Sequence, residues 1–195
     1  MGAAAGVSMG EGGGSVERGP GLLPVAICVL FAIPLAFGLR SISSAVRLSN
    51  RASHFAHDVA SMYRQGVDFS RPENQNIIFD LAHAQALPIQ PDHAVIILST
   101  IRMVSDADCA LAPADACVNR GQVVVQQQLV LGNSRLHASA FGADPPSAPR
   151  GWLTDRAARV NDFGTTLRPG ETVHAAETWF ATPDQPAGIY VRSMN

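Results

Sequence analysis

The stretch GPGLLPVAICVLFAIPLAFGL, residues 19–39, contains no charged residue and is bracketed by Arg18 and Arg40. In an α-helix a run of this length spans roughly 30 Å, the thickness of a bilayer's hydrocarbon core. Pro24 falls in the first helical turn, where its missing N–H is not needed, and a proline such as Pro34 is tolerated in membrane helices. The stretch therefore predicts a transmembrane helix at residues 19–39.

Residues 1–18, which precede this run, are rich in Gly, Ala and Ser, a composition that predicts a disordered leader. A cleaved signal peptide is the alternative to a permanent anchor, because Ser43 and Ala45 offer a small-residue cleavage site. Glu11 and Glu17 lie where a signal peptide carries its positive charges, and they favour the anchor.

The orientation of such an anchor is given by two opposing signals. Arg40, Arg47 and Arg51 follow the run and only Arg18 precedes it, so the positive-inside rule alone places the C-terminal side in the cytoplasm. Long domains cross membranes largely regardless of charge. We therefore expect residues 67–195 to form a domain outside the cytoplasm, carried by a single-pass membrane anchor.

Two of the three cysteines support this orientation. Cys109 and Cys117 lie close together in a loop rich in Pro and Ala, a spacing that closes a short disulfide loop. Two unrelated free thiols are the alternative. A zinc site is not expected, since no second cysteine pair or nearby histidine completes four ligands.

Residues 40–66 predict an amphipathic helix continuous with the anchor, because apolar residues recur there at intervals of three and four. Its small residues would permit close approach of another helix or of the chain's own sheet, and they are candidate partner contacts: Ala45, Ala52, Ala56 and Ala60. A short helix is expected near residues 70–86, ahead of Pro88.

The chain then becomes rich in β-branched residues bounded by turn formers. Four strands are predicted, at residues 94–105, 122–131, 171–181 and 188–193. The fold class is α+β: a transmembrane helix that continues into a long amphipathic helix packed on a small antiparallel sheet. Glu171, Glu177 and Trp179 share one face of the third strand, either as residues at a sheet edge or as contacts with a partner subunit.

Composition excludes several classes of function. The net charge is −2 and no basic cluster occurs, so no nucleic-acid partner is expected. Lysine is absent, which excludes Walker-type phosphate loops and Schiff-base chemistry. No G-x-S-x-G elbow or catalytic cysteine signature occurs. We expect neither an enzyme nor a cofactor.

Two groups of polar residues have the donor types of metal ligands. They are His54, His57 and Asp58 on the amphipathic helix, and Asp106, Asp108 and Asp115 around the cysteine loop. The first group has no third suitable ligand and the second matches no calcium loop, so solvated surface residues are the expectation for both.

The order of these features resembles the TadE/TadG-like family of pilus assembly proteins, part of the tight-adherence (Flp pilus) secretion machinery of bacteria. The resemblance is carried by RLSNRASHFAHDVASMY, QQQLVLGNSRLHASAFG, PGETVHAAETWFATP and GIYVRSM. It implies an inner-membrane anchor with a periplasmic, pilin-like domain. It also implies a role as a minor pilin-like or assembly subunit, with other pilus subunits as partners. Gly12 and Glu17 have the spacing of a prepilin processing site, but the residues between them are hardly apolar.

The alternative function is a membrane-tethered binding or sensor module whose sheet recognises a ligand outside the cytoplasm. An anchored enzyme is a distant third possibility.

Overall fold

A computed structural model describes residues 22–113, 116–142, 150–160, 163–183 and 185–195. The predicted leader, with Gly12 and Glu17, lies outside these residues, as does Asp115. The chain divides into two compact units, Met1–Ser44 and Ala45–Asn195. The second unit contains the sheet and all the clusters discussed below.

Helix α1 spans Leu22–Arg64 as one element. Among the described residues, no helix combines the length and the apolar character required to cross a membrane. The prediction of a transmembrane helix at residues 19–39 is therefore wrong. The predicted single-pass inner-membrane localisation depended on this helix and is wrong too. Helix α1 does continue past Arg40 into the predicted amphipathic segment, so the error lies in the anchor and not in the continuity of the helix.

The end of α1 follows directly from its sequence. Gly66 adopts a left-handed backbone (φ +87°), and the N–H groups of Gly66 and Val67 bond back to the carbonyls of Tyr63 and Met62. This pair of bonds is a Schellman cap, which favours glycine because it lacks the Cβ that a left-handed residue must accommodate. The chain thereby turns towards helix α2, Pro72–Ala84.

Four antiparallel strands form the sheet: β1 (Ala94–Met103), β2 (Val123–Gly132), β3 (Thr172–Thr182) and β4 (Gln185–Met194). Their order in space is β2-β1-β3-β4, so that β2 and β4 are the edges. The fold is α+β with a four-stranded antiparallel sheet, but the predicted fold class is wrong in its transmembrane helix. Short helices α3 (Asp106–Cys109) and α4 (Gly151–Thr154) and a 3₁₀ turn (Arg156–Ala158) lie in the connections.

One face of the sheet packs against the helices. The C-terminal part of α1 contributes a fully buried stripe at helical spacing, which consists of Ala52, Phe55, Ala56, Val59 and Ala60. It meets Ile96 and Leu98 of β1, Ala176 and Phe180 of β3, and Ile78 of α2. Since neighbouring strand residues point to opposite faces, Ile97 and Glu177 lie on the other face.

Loops cover that other face. Phe141, which lies between β2 and α4, and Leu167, which follows the 3₁₀ turn, pack on Ile101, Val125 and Ala175. A third cluster joins the cysteine loop to α4 and consists of Val104, Cys109, Val124, Leu153 and Ala158. The segment 133–142, which follows β2, therefore lies on the sheet face where Glu177 points.

Candidate functional site

Glu177 is the most deeply buried acidic side chain of the described residues, with 1% of its surface exposed. It lies in the middle of β3, opposite Ile97 of β1 and Arg192 of β4. An ionised carboxylate in such a position is costly unless charge or hydrogen bonds compensate it. Its surroundings therefore decide what the site can do.

Three donors converge on the Glu177 carboxylate. The Ala140 N–H (2.9 Å) and the Tyr190 hydroxyl (2.5 Å) donate to Oε1, and the Ser139 hydroxyl donates to Oε2. Ser139 in turn accepts a bond from the N–H of Phe141 (3.1 Å). None of the ion pairs between described residues involves Glu177. Hydrogen bonds from the 133–142 segment and β4 thus compensate the buried charge.

The pKa of Tyr190 lies far above its ordinary value. Burial of the phenol is the largest cause, and the hydrogen bond to Glu177 and the negative charge of Glu177 act in the same direction, while Arg192 opposes them. The hydroxyl therefore stays protonated at neutral pH. Tyr190 is a fixed donor here and not an acid or base.

Aromatic rings surround this carboxylate. The His137 ring lies parallel to the Trp179 ring with centroids 6.5 Å apart, and it lies 4.7 Å from the Tyr190 ring. Trp179 covers Gly188, where any Cβ would overlap the indole. We call Glu177, Ser139, Tyr190, His137 and Trp179 the Glu177 cluster.

A cavity of about 240 Å³ lies between the cluster and strands β1 and β2. It is lined by Ile97, Gln128, Val130, Ser134, His137, Ala138, Ser139 and Gly142. Drug-sized ligands usually occupy pockets of about 300–1,000 Å³, so this cavity suits a smaller molecule or a single side chain. His137 and Ser134 supply polar groups, whereas Gln128 already donates to Ser99 (3.1 Å).

The predicted disulfide between Cys109 and Cys117 is confirmed, with Cα atoms 5.4 Å apart. Ser105 and Asp108 form a capping box at the start of α3, and Arg102 binds both carboxylate oxygens of Asp108 at 2.9 and 3.2 Å. Burial acts to raise the pKa of Asp108, but the bonds from Arg102 and Ser105 outweigh it and lower that pKa. Asp108 therefore braces the cysteine loop.

The other metal-ligand candidates contact different partners. Asp106 pairs with Arg120 at the surface (3.4 Å). His54 is exposed, and the His57 ring lies 3.5 Å from the Ser193 hydroxyl. Within the described parts of the chain, no three His, Cys, Asp or Glu side chains converge as metal ligands.

The predicted partner contacts fall into accessible and inaccessible groups. Ala52, Ala56 and Ala60 are fully buried against the chain's own sheet and α2, and Glu177 is buried in its cluster. Ala45 and Trp179 are half-buried. Glu171 is exposed just before β3, where its carboxylate accepts the N–H of Arg168 (2.8 Å). In this fold the alanine stripe packs within the chain, one of the two alternatives that the sequence left open.

Sequence reasoning missed His137, Ser139 and Tyr190. One signal was available, because an acidic residue inside the apolar strand ETVHAAETWFA requires buried donors. The segment that supplies them is set by the path of the chain after β2, on which the sequence pattern is silent.

Comparisons with known proteins return no match, whether to family models, to curated proteins or to solved structures. The TadE/TadG-like resemblance therefore stays a prediction.

Proposed function

We propose that this protein is a non-enzymatic, pilin-like structural or assembly subunit, the role that the TadE/TadG-like resemblance implies. The observation that carries the proposal is that side chains at the two ends of α1 are buried to different extents. Side chains of its C-terminal part are buried in the domain core, whereas five large apolar side chains of its N-terminal part are at least half exposed: Val29, Leu30, Phe31, Ile33 and Leu35.

These side chains do not lie on one stripe, because consecutive positions from residue 29 to residue 31 point in different directions around a helix. A helix that is apolar on all sides requires burial on all sides. Burial of five such side chains contributes on the order of 5–10 kcal/mol, comparable to an association cost of about 4–15 kcal/mol. Several neighbouring helices, as in a filament or a multisubunit complex, satisfy this need better than a single partner.

A photo-crosslinking residue at Leu30 tests the proposal in the organism that makes the protein. We expect crosslinks from position 30 to other pilin-like subunits, identified by mass spectrometry. The matched control is His54, an exposed position on the same helix, from which we expect no such crosslinks. Equal crosslinking from both positions, or a deletion strain with normal pili, would contradict the proposed role.

A binding or sensor module is the second candidate, and the cavity beside the Glu177 cluster favours it. His137 and Ser134 would contact a small polar ligand there. Ligand-observed NMR with a set of small polar metabolites tests this function. A binder that is lost in His137→Ala and retained in His93→Ala, an exposed histidine outside the cavity, would favour the sensor over the subunit.

A further inference from the structure

Among the described residues, the outer edge of β2 is covered at one end only. Val124 forms an isolated bridge with Arg159, and Val160 donates to the carbonyl of Val123 (2.9 Å). Between Thr100 and Ile101 the β1–β2 register shifts, which leaves Gln126 as an extra residue. The segment 127–132 beyond this bulge pairs with β1 on its inner side, and no described residue pairs with its outer side.

The ladder pattern shows which backbone groups point outward. The N–H of Asn133 donates to the carbonyl of Ala94 (2.9 Å), which makes this a hydrogen-bonded pair. Hydrogen-bonded and non-hydrogen-bonded pairs alternate along antiparallel strands. Gln128 and Val130 therefore direct their N–H and C=O away from β1, and in the described parts of the chain no group bonds to them.

Beyond the bulge, the described residues give the outer edge of β2 no charge, proline or covering segment against strand pairing. Natural edge strands carry charges, prolines or covering segments that prevent association. The opposite edge, β4, contains Pro186 and Arg192 and is followed by Asn195, whose side chain donates to the carbonyl of His57. Between Val123 and Gly132, β2 contains neither a charge nor a proline.

We propose that β2 pairs with β2 of a second copy of this chain, antiparallel about a two-fold axis at Val130, so that the two sheets become one. In this register Val130 faces its own copy, and Leu129 faces Leu131 of the second copy. Every facing pair is uncharged, so the edge is complementary to itself, as a two-fold interface requires. This inference goes beyond the proposed function and does not depend on it.

Charge substitutions at the two-fold axis test the pairing directly. In Val130→Lys or Val130→Glu the full-length chain places like charges opposite each other, and we expect the association constant of the dimer to fall about tenfold or more. An equimolar mixture of the two variants should restore association as a mixed dimer. Sedimentation equilibrium and native mass spectrometry of the full chain provide the measurement.

The matched control is Val118→Lys, which adds the same charge at an exposed valine in the cysteine loop and should leave association unchanged. The proposal is overturned if the native chain is monomeric at all concentrations, if Val130→Lys associates like the native chain, or if the mixed variants fail to pair. Crosslinking from Leu30 is independent of these outcomes, so a failure of the β2 pairing and a failure of the pilin-like role are distinguishable.

Discussion

Replacing Tyr190 by Phe removes one of the three donors to the buried Glu177 carboxylate and leaves the ring in place. A hydrogen bond to a charged group contributes about 1.5–3 kcal/mol to the free energy of unfolding. Tyr190 is 39% exposed, so water replaces part of the lost bond in the variant. We therefore expect Tyr190→Phe to lower the free energy of unfolding by about 1.5 kcal/mol, the lower end of this range.

Tyr63→Phe is the matched control. The Tyr63 hydroxyl accepts a bond from the neutral Thr100 hydroxyl (3.0 Å), so the same deletion should cost only about 0.5–1 kcal/mol. Glu177→Gln provides the second arm, because it keeps the shape of the side chain and removes its charge. In a Glu177→Gln background we expect the cost of Tyr190→Phe to shrink, with a coupling energy of about 1 kcal/mol.

Urea unfolding of the full chain at pH 7, followed by tryptophan fluorescence, measures all four variants and the native chain. Trp179 belongs to the Glu177 cluster and reports its loss. A common urea dependence of unfolding across the variants is required for the comparison. Two results would show that a charged carboxylate does not organise this site. One is that Tyr190→Phe lowers the free energy of unfolding no more than Tyr63→Phe does. The other is that Tyr190→Phe lowers it equally in the native chain and in the Glu177→Gln background.

Three further predictions concern stability. Joint replacement of Cys109 and Cys117 by Ser should lower the free energy of unfolding by about 2.5 kcal/mol, as expected for the closure of a loop between cysteines with a sequence separation of 8, and urea titration would contradict this if the midpoint were unchanged. Gly188→Ala should cost about 3 kcal/mol, because φ is +80° and a methyl group would overlap the Trp179 ring; thermal unfolding within 2 °C of the native midpoint, a shift of about 1 kcal/mol or less, would refute it. Burial is the main cause that lowers the pKa of His174 below 6.5, and the positive charge of Arg64 acts in the same direction. The contribution of the neutral imidazole to the free energy of unfolding is therefore complete above this pH and is lost as the pH falls towards the folded-state pKa. His174→Gln should make the free energy of unfolding depend less on pH in this window, and an unchanged profile would exclude the assignment.

Local pattern was sufficient to predict part of this fold. The three- and four-residue spacing of Ala52, Phe55, Ala56, Val59 and Ala60 indicated a buried helical face, and the structure buries all five completely. The runs of β-branched residues indicated four strands, since such residues suit a pleated and half-buried surface. The short separation of Cys109 and Cys117 indicated their disulfide.

Other features depend on long-range contacts that no local pattern encodes. The third strand revealed an acidic residue among apolar ones, but its donors Ser139 and Tyr190 come from two different segments of the chain. The anchor prediction rested on the absence of charge over residues 19–39, but no helix of the described residues has the length and apolar character needed to cross a membrane. A run of this length without charges indicates a candidate span but is not sufficient to establish one.

The strand order has a consequence for the time course of folding. β3 and β4 are close neighbours in sequence and can pair as soon as both are synthesised, whereas the centre of the sheet requires Ala94 to meet Phe180. Contacts between such distant residues are slow to form, because the intervening chain must lose entropy first. Until β1 and β3 meet, the Ile- and Val-rich strand β1 is exposed to aggregation. Early formation of the Cys109–Cys117 disulfide, which shortens the free chain between β1 and β2, would reduce the time for which β1 is exposed during synthesis.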